Sequence, residues 1–196
     1  MRYYSTTGDS GTTSFGRGSK TSKADASIEF VGALDEAQAA LSFAATEADR
    51  MGYELAKKND PSPAESDQST QLDEVYQHLA WMQQSVFFAG TIVMETAPKE
   101  LQVSWSWNEH LAEIEEACKL LAPKEPLTSF VLPGGSELAA RIELARTAIR
   151  RLERVYCRTY DGTGLDALPL FNRLSSLAFV LARRSNEILE VSELTL

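Results

Sequence analysis

The residues best equipped for chemistry lie in two places, Phe130 to Arg154 and Ser5 to Lys23. In the first, Phe130-Val131-Leu132-Pro133-Gly134-Gly135-Ser136 leads into a segment carrying Arg141, Arg146, Arg150, Arg151, Glu153 and Arg154. A Pro-Gly-Gly turn predicts a change of direction into a helix, with Ser136 as its N-cap and Glu137 favoured by the dipole of its first turn. Arg146, Arg150, Glu153 and Arg154 fall at i, i+4, i+7 and i+8, which places them in one stripe. Four arginines and one glutamate within nine residues of an acidic chain leave two readings open. One is a solvated face of Arg–Glu pairs. The other is a polyanion site, because guanidinium forks match phosphate oxygens.

The second place is Ser5-Thr6-Thr7-Gly8-Asp9-Ser10-Gly11-Thr12-Thr13-Ser14, extended by Gly16 and Gly18. Small hydroxyl residues, glycines and one carboxylate can wrap N–H and O–H groups around phosphate oxygens. The same composition also suits a flexible tail, and the spacing is not that of a Walker loop. Asp35 flanks an apolar stripe and needs a partner if it is buried or at an interface, for which an arginine of the later stripe is a candidate. His78 and His110 are isolated, and Cys118 and Cys157 lack metal-ligand spacing and read as free cytosolic thiols.

Helices must position these groups. Apolar residues at helical spacing predict a first helix over 25–50 (Ile28, Val31, Leu34, Ala37, Leu41, Ala44, Ala45). A second is predicted over about 70–96, with Leu72, Val75, Leu79, Met82, Val86 and Phe87 inward and Phe88, Ile92 and Val93 keeping it apolar on several sides. A third starts near Trp107 or Asn108 and stops before Pro123, the Arg-bearing helix runs to about Tyr160, and the last spans about 166–190. Residues 52–70, with Pro61 and Pro63, read as a mobile surface connection. No strand alternation is apparent. The expected fold class is all-α, a five-helix bundle forming one domain over 1–196. Its 43% hydrophobic content is enough for a sizeable core.

Nineteen Lys and Arg against 28 Asp and Glu give a net charge of −9, which argues against non-specific nucleic-acid or anionic-membrane binding. No run approaches a membrane span, and the start of the chain lacks an apolar signal core, so a cytoplasmic location is expected.

Four blocks together resemble the PduO-type ATP:cob(I)alamin adenosyltransferases. They are Tyr4 to Thr13; Lys23-Ala24-Asp25 with Ile28-Glu29 and Gly32-Ala33-Leu34-Asp35-Glu36; Phe130 to Ser136 with Ala145-Arg146-Thr147 and Arg150-Arg151-Leu152-Glu153-Arg154; and Asn172-Arg173-Leu174-Ser175. The resemblance implies a five-helix bundle that assembles as a homotrimer with sites between subunits. It implies attack by the cobalt of cob(I)alamin on the 5′ carbon of ATP, giving adenosylcobalamin and triphosphate. Residues 1–24 would then be a nucleotide-binding loop, with Ser5, Thr6, Thr7, Gly8, Asp9, Gly11, Thr13, Ser14 and Lys23 on ATP. Arg150 would neutralise the triphosphate leaving group, with Arg151 and Arg154 beside it. Glu153 and Asn172 would orient ATP or the Mg2+ it carries, with no metal ligand assigned directly. Asp35 would pair with Arg146 across the interface. Phe130 would occupy the lower corrin face and displace the axial base, giving a four-coordinate cobalt(II) that is easier to reduce.

An electron-donor reductase and an adenosylcobalamin-dependent enzyme are the partners implied. Some residues depart from the family's pattern. Thr6 stands where Lys is usual, Ser27 where Arg is usual, Gln38 for Asn, Glu143 for His, and Ser176 for Asp. Lys20, Lys23, Arg17 or the arginine stripe can compensate for the missing charge. Two other readings follow from the residues: a non-catalytic cobalamin- or nucleotide-binding homologue, carrier or sensor, and a helical oligomerisation module.

Overall fold

The computed structural model describes residues 3–4, 6–15, 18–161 and 166–196, with Ser19 described by its backbone alone. Among the described residues six helices, not the five expected, follow a small hairpin, because a short helix forms after Pro98: α1 (Ala26–Ala56), α2 (Pro63–Val93), α3 (Lys99–Ser104), α4 (Trp107–Leu120), α5 (Glu137–Thr159) and α6 (Leu168–Ile188). Among the described residues none of these helices is long and apolar enough to cross a membrane.

Side-chain caps set the starts of α1, α2 and α5, whereas α6 starts without one. Asp25 caps α1 by accepting from the Ser27 N–H at 2.9 Å and its hydroxyl at 2.6 Å. Ser62 and Glu65 form a reciprocal capping box at the start of α2, with Pro63 just inside it. Ser136 accepts from the Ala139 N–H at the start of α5.

α1, α2, α6 and α5 close into a four-helix ring, with α4 laid on α6. Neighbours run antiparallel. Phe30, near the start of α1, packs on Tyr156 and Tyr160, near the end of α5, while Phe43 further along α1 meets Arg141 early in α5. Tyr156 packs on Phe171 at the start of α6, whereas Asn186 near the end of α6 meets Ser136. The interior stripe of α5 is the one expected: Leu138, Ile142, Ala145, Ile149, Leu152 and Tyr156 are all buried.

Three further expectations are corrected. Residues 52–70 are not a continuous loose connection, since α1 continues to Ala56 and α2 begins at Pro63. Proline at the first helical position is a start signal, not a break. Gly52 sits inside α1 facing α2, with the Ser69 carbonyl oxygen at ordinary contact distance, 3.5 Å, from where a Cβ would stand. The N-terminal segment is not strandless: β1 (Thr12–Phe15) and β2 (Ser19–Ser22) pair antiparallel, Thr12 opposite Ser22 and Phe15 opposite Ser19. Finally, α2 is not buried all round, because Phe87 is half exposed.

Candidate functional site

The hairpin joins α1 directly, and its register is fixed by a bond from the Lys23 N–H to the Gly11 carbonyl at 2.9 Å. Gly11 has φ +78°, in the left-handed region that glycine adopts without strain. A turn through Thr6 and Asp9, closed at 3.1 Å, folds the preceding residues over the strands. Thr7, Gly8, Thr12, Thr13, Ser14, Lys20 and Lys23 together line an open cleft of about 420 Å³. The Lys23 ammonium lies across Gly8, 3.0 Å from where a Cβ would stand. A side chain at position 8 would therefore displace the cation from the cleft.

Hydroxyls, backbone and two ammonium groups around one open cleft form an anion-binding arrangement. Of the expected ATP residues, Thr7, Gly8, Thr13, Ser14 and Lys23 line it; Thr6, Asp9 and Gly11 shape the turns but are not in its wall. Ser5 lies outside the described residues. Thr12 lines the cleft without having been singled out. Lys20 enters the wall because β2 brings it opposite Ser14. At the exit of the hairpin the Asp25 carboxyl is held below its usual range, first by the Ser27 hydroxyl and then by the Ser27 N–H.

This hairpin stands at one end of the bundle, where α1 begins, α5 ends and α6 begins. The Thr159 hydroxyl donates to the Ala26 carbonyl at 3.2 Å, and the Tyr156 oxygen accepts from the Ala167 N–H at 3.4 Å. Toward this end α5 presents Arg150, Glu153 and Arg154, and α6 presents Asn172 in its early turns. Arg150, Arg154 and Asn172 are exposed and Glu153 is half-buried, and none of the four side chains has a hydrogen-bond or ion-pair partner among the described residues. Burial raises the pKa of both Tyr156 and Tyr160 beneath them.

Arg151, one residue from Arg150, is placed differently. It is ion-paired to Glu29 at 2.7 Å and to Glu36, both on α1. Its guanidinium clamps α5 to α1. Arg146 is held within its own helix by the buried Glu143, whose carboxylate accepts from Nε at 2.6 Å. Asp35 is exposed and has no partner among the described residues, so within one chain it does not meet Arg146.

Phe130 lies at the opposite end of the bundle, before the start of α5, with its side chain 84% exposed. α5 has 23 residues, which at the helical rise separates its two ends by about 33 Å. Phe130 and the hydroxyl cleft of one chain are therefore far apart. Asn186 was not visible as a site residue in the sequence. It is buried, and its side chain accepts from the Ser136 N–H at 2.9 Å and hydroxyl at 3.0 Å, and donates to the Gly134 carbonyl at 3.0 Å. No spacing signal links it to a turn some 50 residues earlier.

The profile of the cobalamin adenosyltransferase family matches residues 3–185. The chain is 34% identical over 206 residues to the corrinoid adenosyltransferase PduO of Salmonella typhimurium, covering 98% of this chain and 54% of that protein. It therefore spans about half the length of that relative. It is 34% identical over 194 residues to a corrinoid adenosyltransferase of Mycobacterium bovis, covering 94% of this chain and 89% of that one. Its fold superposes with a TM-score of 0.75 on a variant PduO-type ATP:corrinoid adenosyltransferase from Lactobacillus reuteri complexed with cobalamin and ATP, at 21% identity over 100% of this chain and 96% of that chain. The chain belongs to the cobalamin adenosyltransferase family.

Proposed function

We propose that the protein transfers the 5′-deoxyadenosyl group of ATP to the cobalt of cob(I)alamin. The observation that carries this reading is a cleft lined by hydroxyls, Lys20 and Lys23, at the bundle end toward which Arg150, Glu153 and Arg154 lie, without side-chain partners among the described residues. The cobalt(I) electron pair forms the Co–C5′ bond, and the C5′–O bond breaks with its pair leaving on triphosphate. Lys20, Lys23 and Arg150 stabilise that charge as it develops. Glu153 and Asn172 orient the nucleotide. Mg2+ would come with the triphosphate, and Glu153 is the carboxylate that would help to hold it.

The distance along α5 between Phe130 and the hydroxyl cleft supports a homotrimer whose sites join one chain's nucleotide end to a neighbour's corrin end. There the exposed Asp35 of one chain would meet Arg146 of the next. Glu143 fits that role, because it engages Nε of Arg146 and leaves the two terminal nitrogens free for a bidentate partner. Sedimentation of the purified protein is expected to give a three-chain mass.

Thr6 in place of the usual Lys favours one further reading, a protein that binds cobalamin or nucleotide without turnover. The assay is anaerobic visible absorbance with chemically reduced cobalamin and Mg-ATP. Formation of light-sensitive adenosylcobalamin is expected. Spectral binding without that product refutes the transferase and supports a carrier or sensor. No spectral change leaves a helical oligomerisation module.

A further inference from the structure

Phe130 poses a mechanical problem. Its ring is almost wholly exposed, yet to displace an axial base it must hold its place against a competing ligand. Its backbone has a partner strand. The Leu196 N–H donates to the Phe130 carbonyl at 3.0 Å, the Leu132 N–H donates to the Leu194 carbonyl at 2.8 Å, and Val131 faces Thr195 as an antiparallel bridge.

Both sides of this short ladder are tied to Asn186. On one side the asparagine side chain grips Gly134 and Ser136, as described above. The grip is close enough that a Cβ on Gly135 would lie 2.5 Å from Asn186 Oδ1, and Gly135 also has φ +99°. On the other side the Asn186 carbonyl accepts the Val191 N–H at 2.9 Å. Glu190, at φ +55°, turns the chain back there. Arg183 of α6 then holds Glu193 at 3.0 Å, with both side chains largely buried.

We propose that residues 191–196 are a strap that fixes the presentation of Phe130, with Asn186 as the positioning residue that seats both the strap and the Pro-Gly-Gly turn. This rests on the adenosyltransferase reading and assigns its corrin side a further part. The ladder gives the Phe130 backbone a stiff backing at the one place where its side chain has none. Asn186 ties that backing to the end of α6 and to the cap of α5, so the phenylalanine is referenced to the rigid bundle and not to a free loop. Asn186 acts through Phe130 and has no contact with either substrate in this account.

The test uses the full chain, cob(II)alamin and Mg-ATP, and reads the fraction of four-coordinate cobalt by absorbance and electron paramagnetic resonance. Three variants are compared with the parent. Leu196→Pro removes the one N–H that reaches Phe130. Asn186→Asp keeps the acceptor for Ser136 but loses the donor to Gly134. The third deletes residues 191–196. Each is expected to lower the four-coordinate fraction and kcat on the order of three- to tenfold, the scale of one net hydrogen bond. The KM for ATP should hold, because none of the altered residues lines the nucleotide cleft. Folded variants that keep the parent's four-coordinate fraction overturn the strap. So does a loss that appears equally in the KM for ATP, since that marks general loosening. A parent chain that forms no four-coordinate cobalt and no product overturns the transferase reading itself, a result distinct from either.

Discussion

Arg150 and Arg151 are neighbours in sequence, yet the bundle gives them different work, and their alanine variants should separate cleanly. Arg151 holds Glu29 and Glu36 of α1, with side chains between 39% and 57% exposed at these pairs. Exposed pairs contribute about 0.2–1 kcal/mol each, so Arg151→Ala should lose about 0.4–2 kcal/mol of stability in total. For a chain of this size that lowers Tm by a few degrees, at roughly 2–4 °C per kcal/mol. Its kcat/KM should stay within about threefold of the parent's, because no charge aimed at the nucleotide is lost.

Arg150 has no partner among the described residues, so Arg150→Ala should leave stability within about 0.5 kcal/mol. If its guanidinium meets the departing triphosphate, one charge-assisted bond of about 1.5–3 kcal/mol disappears, and kcat/KM falls about ten- to 150-fold. Thermal unfolding and steady-state adenosylation on both variants decide it. Equal losses of kcat/KM in the two, with Arg151→Ala unchanged in Tm, refute the division of labour. So does an Arg150→Ala protein that is destabilised but fully active.

Thr6→Lys places a cation beside the hydroxyl cleft and should tighten Mg-ATP on the order of tenfold in titration calorimetry; unchanged binding would show that Lys20 and Lys23 already saturate the phosphate charge. Leu152→Ala removes a fully buried side chain of α5 and should cost about 2–5 kcal/mol in urea unfolding at fixed protein concentration, unless the core collapses around it. The Glu65 carboxyl is held down to about 2 by the Lys58 ammonium first, then by the Ser62 N–H and hydroxyl. A depressed carboxyl stabilises the fold above its ordinary value and loses that contribution as pH falls toward the folded value. The stability gap between the parent and Glu65→Gln should therefore be open near neutral pH and narrow as pH falls from 4.5 toward about 2; a gap that does not narrow over that range contradicts the capping geometry.

For α5 the reading from helical periodicity transferred to three dimensions, whereas on α2 it failed at Phe87. The α5 stripe from Leu138 to Tyr156 could be read because each residue buries toward α1 or α6 at the helical repeat. The same periodicity cannot separate Arg150 from Arg151, because the distinction depends on which side of α5 is covered by α1. Pro63 misled because proline signals both a break and a start; the reciprocal bonds of Ser62 and Glu65 decide for a start. The hairpin was hidden because Thr12–Phe15 and Ser19–Ser22 lack apolar alternation. A two-stranded hairpin standing off the bundle has no core face to advertise. Asn186 was hidden for a different reason: its partners come from the turn before α5, and only the antiparallel packing of α5 on α6 brings them together.

The departures from the family's pattern also gain a physical reading. Ser27, where Arg is usual, spends its hydroxyl on Asp25 at 2.6 Å and so strengthens the cap that joins the hairpin to α1. On the proposed reading Lys20 of β2, which lines the cleft beside Lys23, would be one source of the missing charge. Glu143, where His is usual, places a buried carboxylate against Arg146 Nε. A buried carboxylate without a cation would be costly, so Glu143 and Arg146 are now mutually dependent. Asp35 is left as the exposed, unpartnered member of the set. In the proposed trimer the arginine would be oriented before a neighbour arrives, and the Asp35 carboxylate would stand ready on α1 to complete its fork.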